Sequence, residues 1–77
     1  MVRAFIFIQT EVGVAASVAR RLRQLDHATS VEMVTGPYDL VVRAEATSID
    51  ELGKLVLRPI QDVRGIIRTM TCPVIGR

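Results

Sequence analysis

Residues 2–9 read Val2-Arg3-Ala4-Phe5-Ile6-Phe7-Ile8-Gln9, a run rich in β-branched and aromatic side chains. In an extended chain Val2, Ala4, Ile6 and Ile8 fall on one face and Phe5 and Phe7 on the other, so neither face suits water. A strand of this kind needs cover above and below, and the rest of the chain must supply it. The run is too short to be a secretory signal core followed by a cleavage site, and no stretch reaches the ~20 apolar residues of a membrane span. The expectation is a soluble cytoplasmic protein with no membrane contact.

Cover for one face follows directly in the chain. Val14, Ala15, Val18, Ala19, Leu22 and Leu25 recur at helical spacing, while Arg20, Arg21, Arg23 and Gln24 lie mostly off that stripe. This is an amphipathic helix, with Thr10 placed to cap it. Residues 28–35 and 38–46 then read as two strands joined through Gly36-Pro37. The second places Leu40, Val42 and Ala44 on one face and Val41, Arg43 and Glu45 on the other. They form a hairpin. Ser48 and Glu51 have the spacing of a capping box, and Ile49, Leu52, Val56, Ile60 and Val63 continue at steps of three and four. Pro59 inside this second helix removes an amide, so a kink or break is expected there, with an irregular or 3₁₀-like last turn. Gly65 ends the helix. Residues 66–75 make a final strand, with Arg68, Met70 and Cys72 on one face and Ile67, Thr69 and Thr71 on the other.

The order βαββαβ, with right-handed crossovers, puts both helices on one face of a four-stranded antiparallel sheet. The fold class is therefore α+β, ferredoxin-like, as one domain over residues 1–77. The other sheet face is left bare, yet the first strand is apolar on that side too. Packing against the same face of a second copy solves this, giving a homodimer of the dimeric α+β barrel type. A chain of 77 residues that is 49% hydrophobic points the same way, because a core this small is marginal alone. The single cysteine, Cys72, supplies no disulfide and reads as a small apolar side chain. A formal charge of +2, with nine arginines spread along the chain, does not by itself imply a nucleic acid partner.

The hairpin corner is the first place to look for a ligand. Gly36 permits positive φ or close approach to the backbone, Pro37 fixes φ and donates no hydrogen bond, and Tyr38 and Asp39 add a ring and a charge. Each also has a plain reading: Asp39 can bond the turn backbone, and Tyr38 can pack at a contact between copies. His27 has no histidine or cysteine partner nearby in sequence and reads as a solvated loop residue. The Arg20, Arg21 and Arg23 group reads as a solvated helix face.

The segment Thr35-Gly36-Pro37-Tyr38-Asp39-Leu40, the Leu52-Gly53 helix start and Val63-Arg64-Gly65-Ile66 followed by Thr69 and Thr71 carry a further signal. Together they resemble the effector-binding (RAM) domain of the Lrp/AsnC transcriptional regulators, over nearly the whole chain. Members of that family carry an N-terminal helix-turn-helix, which this sequence does not show, so the expectation is a stand-alone form without its own DNA-binding domain. The resemblance implies dimers assembling into rings of four or five, an octamer or decamer, with amino acids or related molecules bound between dimers at the hairpin. It implies ligand contacts from Gly36, Tyr38 and Asp39, then Thr69 and Thr71, with Thr35 and Met33 beside them. Full-length Lrp/AsnC regulators are implied as possible partners. No catalytic residue, metal or cofactor is expected.

Three other classes share this topology. A dimeric α+β barrel enzyme needs a histidine, a cofactor contact or paired acids in the sheet cavity, and none has convincing spacing here. An RNA-binding ferredoxin-like domain needs aromatics on both central strands, and the last strand has none to match Phe5 and Phe7. An ACT domain places its ligand near a glycine after the first strand, a position Gly13 occupies. The T-G-x-Y-D corner favours the regulator family.

Overall fold

In the computed structural model, which describes residues 1–76, the doubly apolar run is β1 (Val2–Thr10), a central strand. It pairs antiparallel with β3 (Leu40–Ala46) on one side and β4 (Ile66–Pro73) on the other. Outside β3 lies β2 (Ala28–Met33), so the sheet order is β2-β3-β1-β4. The expected α+β, ferredoxin-like arrangement is the one observed. The strands of the hairpin are shorter than their composition suggests, which leaves Val34–Asp39 as a connection.

One set of alternating side chains forms the core. Ala4, Ile6 and Ile8 of β1 and Leu40, Val42 and Ala44 of β3 are fully buried beneath α1 (Ala15–Leu22), which contributes Val18, Ala19 and Leu22. Leu52, Val56 and Ile60 complete it from the second helical segment. Fully burying aliphatic side chains of this kind contributes roughly 1.5–3 kcal/mol each before conformational entropy is subtracted. The opposite set lines an uncovered face. There Phe5 stands across from Arg43 and Cys72, and Phe7 across from Val41 and Met70. The Arg43 guanidinium lies 5.2 Å from the Phe5 ring centre, an arrangement that favours the cation over the π face.

The second helical segment departs from expectation in an instructive way. It runs as α2 (Ile49–Leu52), a π-helical turn (Gly53–Leu57) and α3 (Arg58–Gln61), with helical dihedrals through both junctions. Pro59 does not break the helix, but the expected irregularity is present: the last turn is 3₁₀-like, with the Asp62 amide donating to Pro59 O and the Val63 amide to Ile60 O, each at 3.1 Å. The Arg58 amide donates to Gly53 O five residues back, and this wider turn places Pro59 at the start of α3, where a missing N–H costs little. The other end follows its sequence signal. Ser48 Oγ accepts from the Glu51 amide at 3.0 Å, and Glu51 Oε1 reaches back to the Thr47 amide at 2.7 Å and hydroxyl at 2.9 Å. Those two bonds, the amide first, hold the Glu51 carboxyl below its usual range, with a smaller contribution from nearby His27.

Two loop assignments are corrected. Thr10 does not cap α1; it ends β1, and the N-cap position falls to Val14 without a side-chain bond. His27 is not a free loop residue. It is half-buried, its Nδ1 lies 3.0 Å from Glu45 O, and its carbonyl accepts from the Glu45 amide, so it pins the start of β2 to β3.

Candidate ligand-binding site

The site is built at the end of the sheet where β1 stops and the hairpin turns. The β1–β3 register runs to Ile8 opposite Leu40, and Gly36, with φ of +126°, helps turn the chain away beyond it. Past that pair no β3 carbonyl reaches the Thr10 amide. Asp39 replaces it: Oδ2 accepts from Thr10 N at 2.8 Å and from Thr10 Oγ1 at 3.3 Å. Thr10 is only 7% exposed, so this acceptor satisfies a buried donor. The Asp39 backbone does the rest, its amide donating to Ile8 O at 2.8 Å and its carbonyl accepting from Val34 N at 2.9 Å. One residue thus ties the hairpin base to the end of the central strand.

Beside this knot lies an open cleft of 430 Å³ between the hairpin and the β1–α1 connection. It is lined by Thr10 and Asp39, by Met33 at the end of β2, and by Glu11, Val12, Gly13 and the first turn of α1. Asp39 Oδ1 and the amides of Val12 and Gly13 have no protein partner among the described residues. The cleft is thus lined by two carboxylate residues, Asp39 and Glu11, by a segment with unpaired backbone amides and by apolar side chains, the kinds of group that hold an ammonium, a carboxylate and a small side chain.

The residues singled out in sequence are distributed over four places. Asp39 and Met33 line the cleft on the helix side. Thr35 and Gly36 are exposed at the hairpin tip. Tyr38 lies on the uncovered sheet face, its ring 5.7 Å from that of Phe7 and its hydroxyl 3.8 Å from Met70 Sδ. Thr69 and Thr71 stand opposite Ile8 and Ile6 on β4, on the helix side but separated from β3 by the whole of β1. Within one chain, then, Tyr38 and the two threonines do not converge on Asp39. Glu11 and Val12 were not legible as lining residues; Gly13, noticed for its place after the first strand, was the available signal. Among the described residues no cluster of three or more His, Cys, Asp or Glu suits a metal ion, and no helix is long and apolar enough to cross a membrane.

Residues 3–77 match the family model described as the Lrp/AsnC ligand binding domain. The chain belongs to the Lrp/AsnC family. An uncharacterised helix-turn-helix-type transcriptional regulator of Pyrococcus horikoshii is 28% identical to this Lrp/AsnC domain over 54 residues, which are 70% of this chain and 36% of the regulator. A second such regulator, from Pyrococcus furiosus, is 26% identical over the same extent. The Lrp/AsnC domain thus matches about a third of the length of these curated relatives. Among solved structures, a Thermus thermophilus protein superposes with a TM-score of 0.93 at 28% identity, covering 100% of this chain and 96% of that one. Escherichia coli AsnC gives 0.90 at 28% identity, over 99% of this chain and 52% of AsnC. A Neisseria meningitidis transcriptional regulator solved as a complex with L-Met gives 0.84 at 21% identity, over 97% and 50%, and shares the fold. The Lrp/AsnC domain is the ligand-binding part of a family of transcriptional regulators.

Proposed function

We propose that this domain is a non-catalytic effector module that binds an amino acid or a close relative of one at the hairpin cleft. The observation that carries the reading is the pairing of an unengaged Asp39 oxygen with the free Val12 and Gly13 amides across an apolar cleft. The carboxylate faces the ligand ammonium, the amides face its carboxylate, and Met33 with Val12 surrounds its side chain. The L-Met complex of the neisserial regulator makes methionine and other apolar amino acids the first ligands to try. Binding is completed between copies: Tyr38, Thr69 and Thr71, remote from Asp39 in one chain, contribute from neighbouring protomers.

Assembly is the output. Two copies pack through the uncovered faces, where Phe5, Phe7, Val41, Met70 and Cys72 cluster, and the dimers close into an octameric or decameric ring. Full-length family members are the partners through which occupancy would reach DNA, and the cytoplasm is where they would meet. The test is calorimetric titration with a panel of amino acids at millimolar concentration, alongside light scattering after size exclusion. Saturable binding of a few amino acids by an oligomer is the expected result. A monomer that binds none of them would sink the reading.

A further inference from the structure

Arg20, Arg21 and Arg23 lie within one turn of sequence at the end of α1, but the fold separates them. Arg23 Nη2 donates to Val31 O at 3.0 Å, which ties it to β2. Arg20 and Arg21 instead share a cleft of 370 Å³ with Arg64, which arrives from the connection between α3 and β4, and with Gln24. No carboxylate lines this cleft, and the sole ion pair among the described residues is Lys54 with Asp50 at 3.2 Å. The Ser17 hydroxyl already donates to Val14 O at 3.0 Å, and the other polar side chains lining the cleft are those of three arginines and one glutamine. Complementing the negative end of the α1 dipole accounts for Arg20 and Arg21 but not for Arg64.

We propose that this cleft binds a small soluble molecule carrying a di- or triphosphate, at a site separate from the hairpin cleft. Each guanidinium presents its donors in a planar fork that matches phosphate oxygens, and three forks from two parts of the chain exceed what a single monophosphate can fill. Nucleic acid fits less well. The chain has only three aromatic residues, and Phe5, Phe7 and Tyr38 all lie on the opposite sheet face, so no base could stack beside the arginines.

The experiment is calorimetric titration of the full chain with tripolyphosphate, pyrophosphate and sulfate at matched ionic strength. One saturable site per chain is expected, with tripolyphosphate binding at least about tenfold more tightly than sulfate. Arg20→Gln combined with Arg64→Gln should lower that affinity by about tenfold or more, while Arg58→Gln, elsewhere on the surface, leaves it unchanged. If the double variant does not fold by circular dichroism, Arg64→Gln alone carries the same comparison. Equal affinity for sulfate and tripolyphosphate, or an equal loss in Arg58→Gln, would overturn the site. So would a single-stranded oligonucleotide or anionic phospholipid vesicles that bind more tightly than tripolyphosphate and lose binding in the same variant, since the cleft would then belong to a polymer or a membrane headgroup.

Discussion

Removing the Asp39 carboxylate leaves the buried Thr10 amide without an acceptor. Asp39→Ala is therefore expected to destabilise the fold by about 1–3 kcal/mol in urea denaturation, the range for losing a charged partner of a buried donor. Asp39→Asn keeps an oxygen for Thr10 and loses the charge. It should recover most of the stability yet bind amino acids about tenfold more weakly or worse, separating the turn role from the ligand role. The turn role of Asp39 was readable from its place in the corner, but its partner was not, because Thr10 lies 29 residues earlier in the chain. At the other end of the sheet, Glu51 gives a pH signature. Its folded-state pKa sits below the ordinary 4.5, so its stabilisation is complete above that value and is lost as the pH falls through the folded pKa. The melting-temperature gap between the parent and Glu51→Gln should thus be widest near neutrality and close on acidification. A gap that stays constant down to acidic pH would contradict the assignment.

Elements are joined here at points where a single atom decides the fit. Gly65, with φ of +96°, precedes β4, and a Cβ added there would stand 2.9 Å from Val14 Cγ2 and 3.3 Å from Val18 Cγ2. Gly36 has φ of +126° with nothing within 4 Å, so a methyl group there meets only backbone strain. Gly65→Ala should cost about 1–3 kcal/mol from overpacking in addition to strain, and Gly36→Ala clearly less; reversal of that order by thermal melting would show that α1 yields to the methyl group. The order of helices and strands was legible because hydrophobic period is local, and the Ser48 cap was legible for the same reason, whereas the cap assigned to Thr10 was not borne out. At Pro59 the sequence foresaw an irregular, 3₁₀-like end but not the π-helical turn, since whether a helix breaks or widens depends on what its neighbours can bury: Val56 and Ile60 are both in the core, and the wider turn keeps them there. It also grouped Thr69 and Thr71 on one face of the last strand, without showing which face that is or that β1 intervenes between them and the hairpin.

For the whole molecule, the alternation in β1 forecast two covered faces, and one chain covers only one of them. Phe7→Glu puts a charge among Tyr38, Val41 and Met70 while leaving the helix-side core untouched. In the two-fold arrangement it converts the dimer to monomer in light scattering; an unchanged mass would move the interface elsewhere. The central position of β1 has one more consequence, and it concerns time. Its neighbours in the sheet are residues 40–46 and 66–73, so β1 leaves the ribosome before either strand it must pair with. At synthesis rates of roughly 5–20 residues per second, the stretch Val2–Thr10 spends on the order of several seconds without a complete set of neighbours. The same apolar side chains that organise the finished sheet are, for that interval, a segment open to chaperones and to other nascent chains.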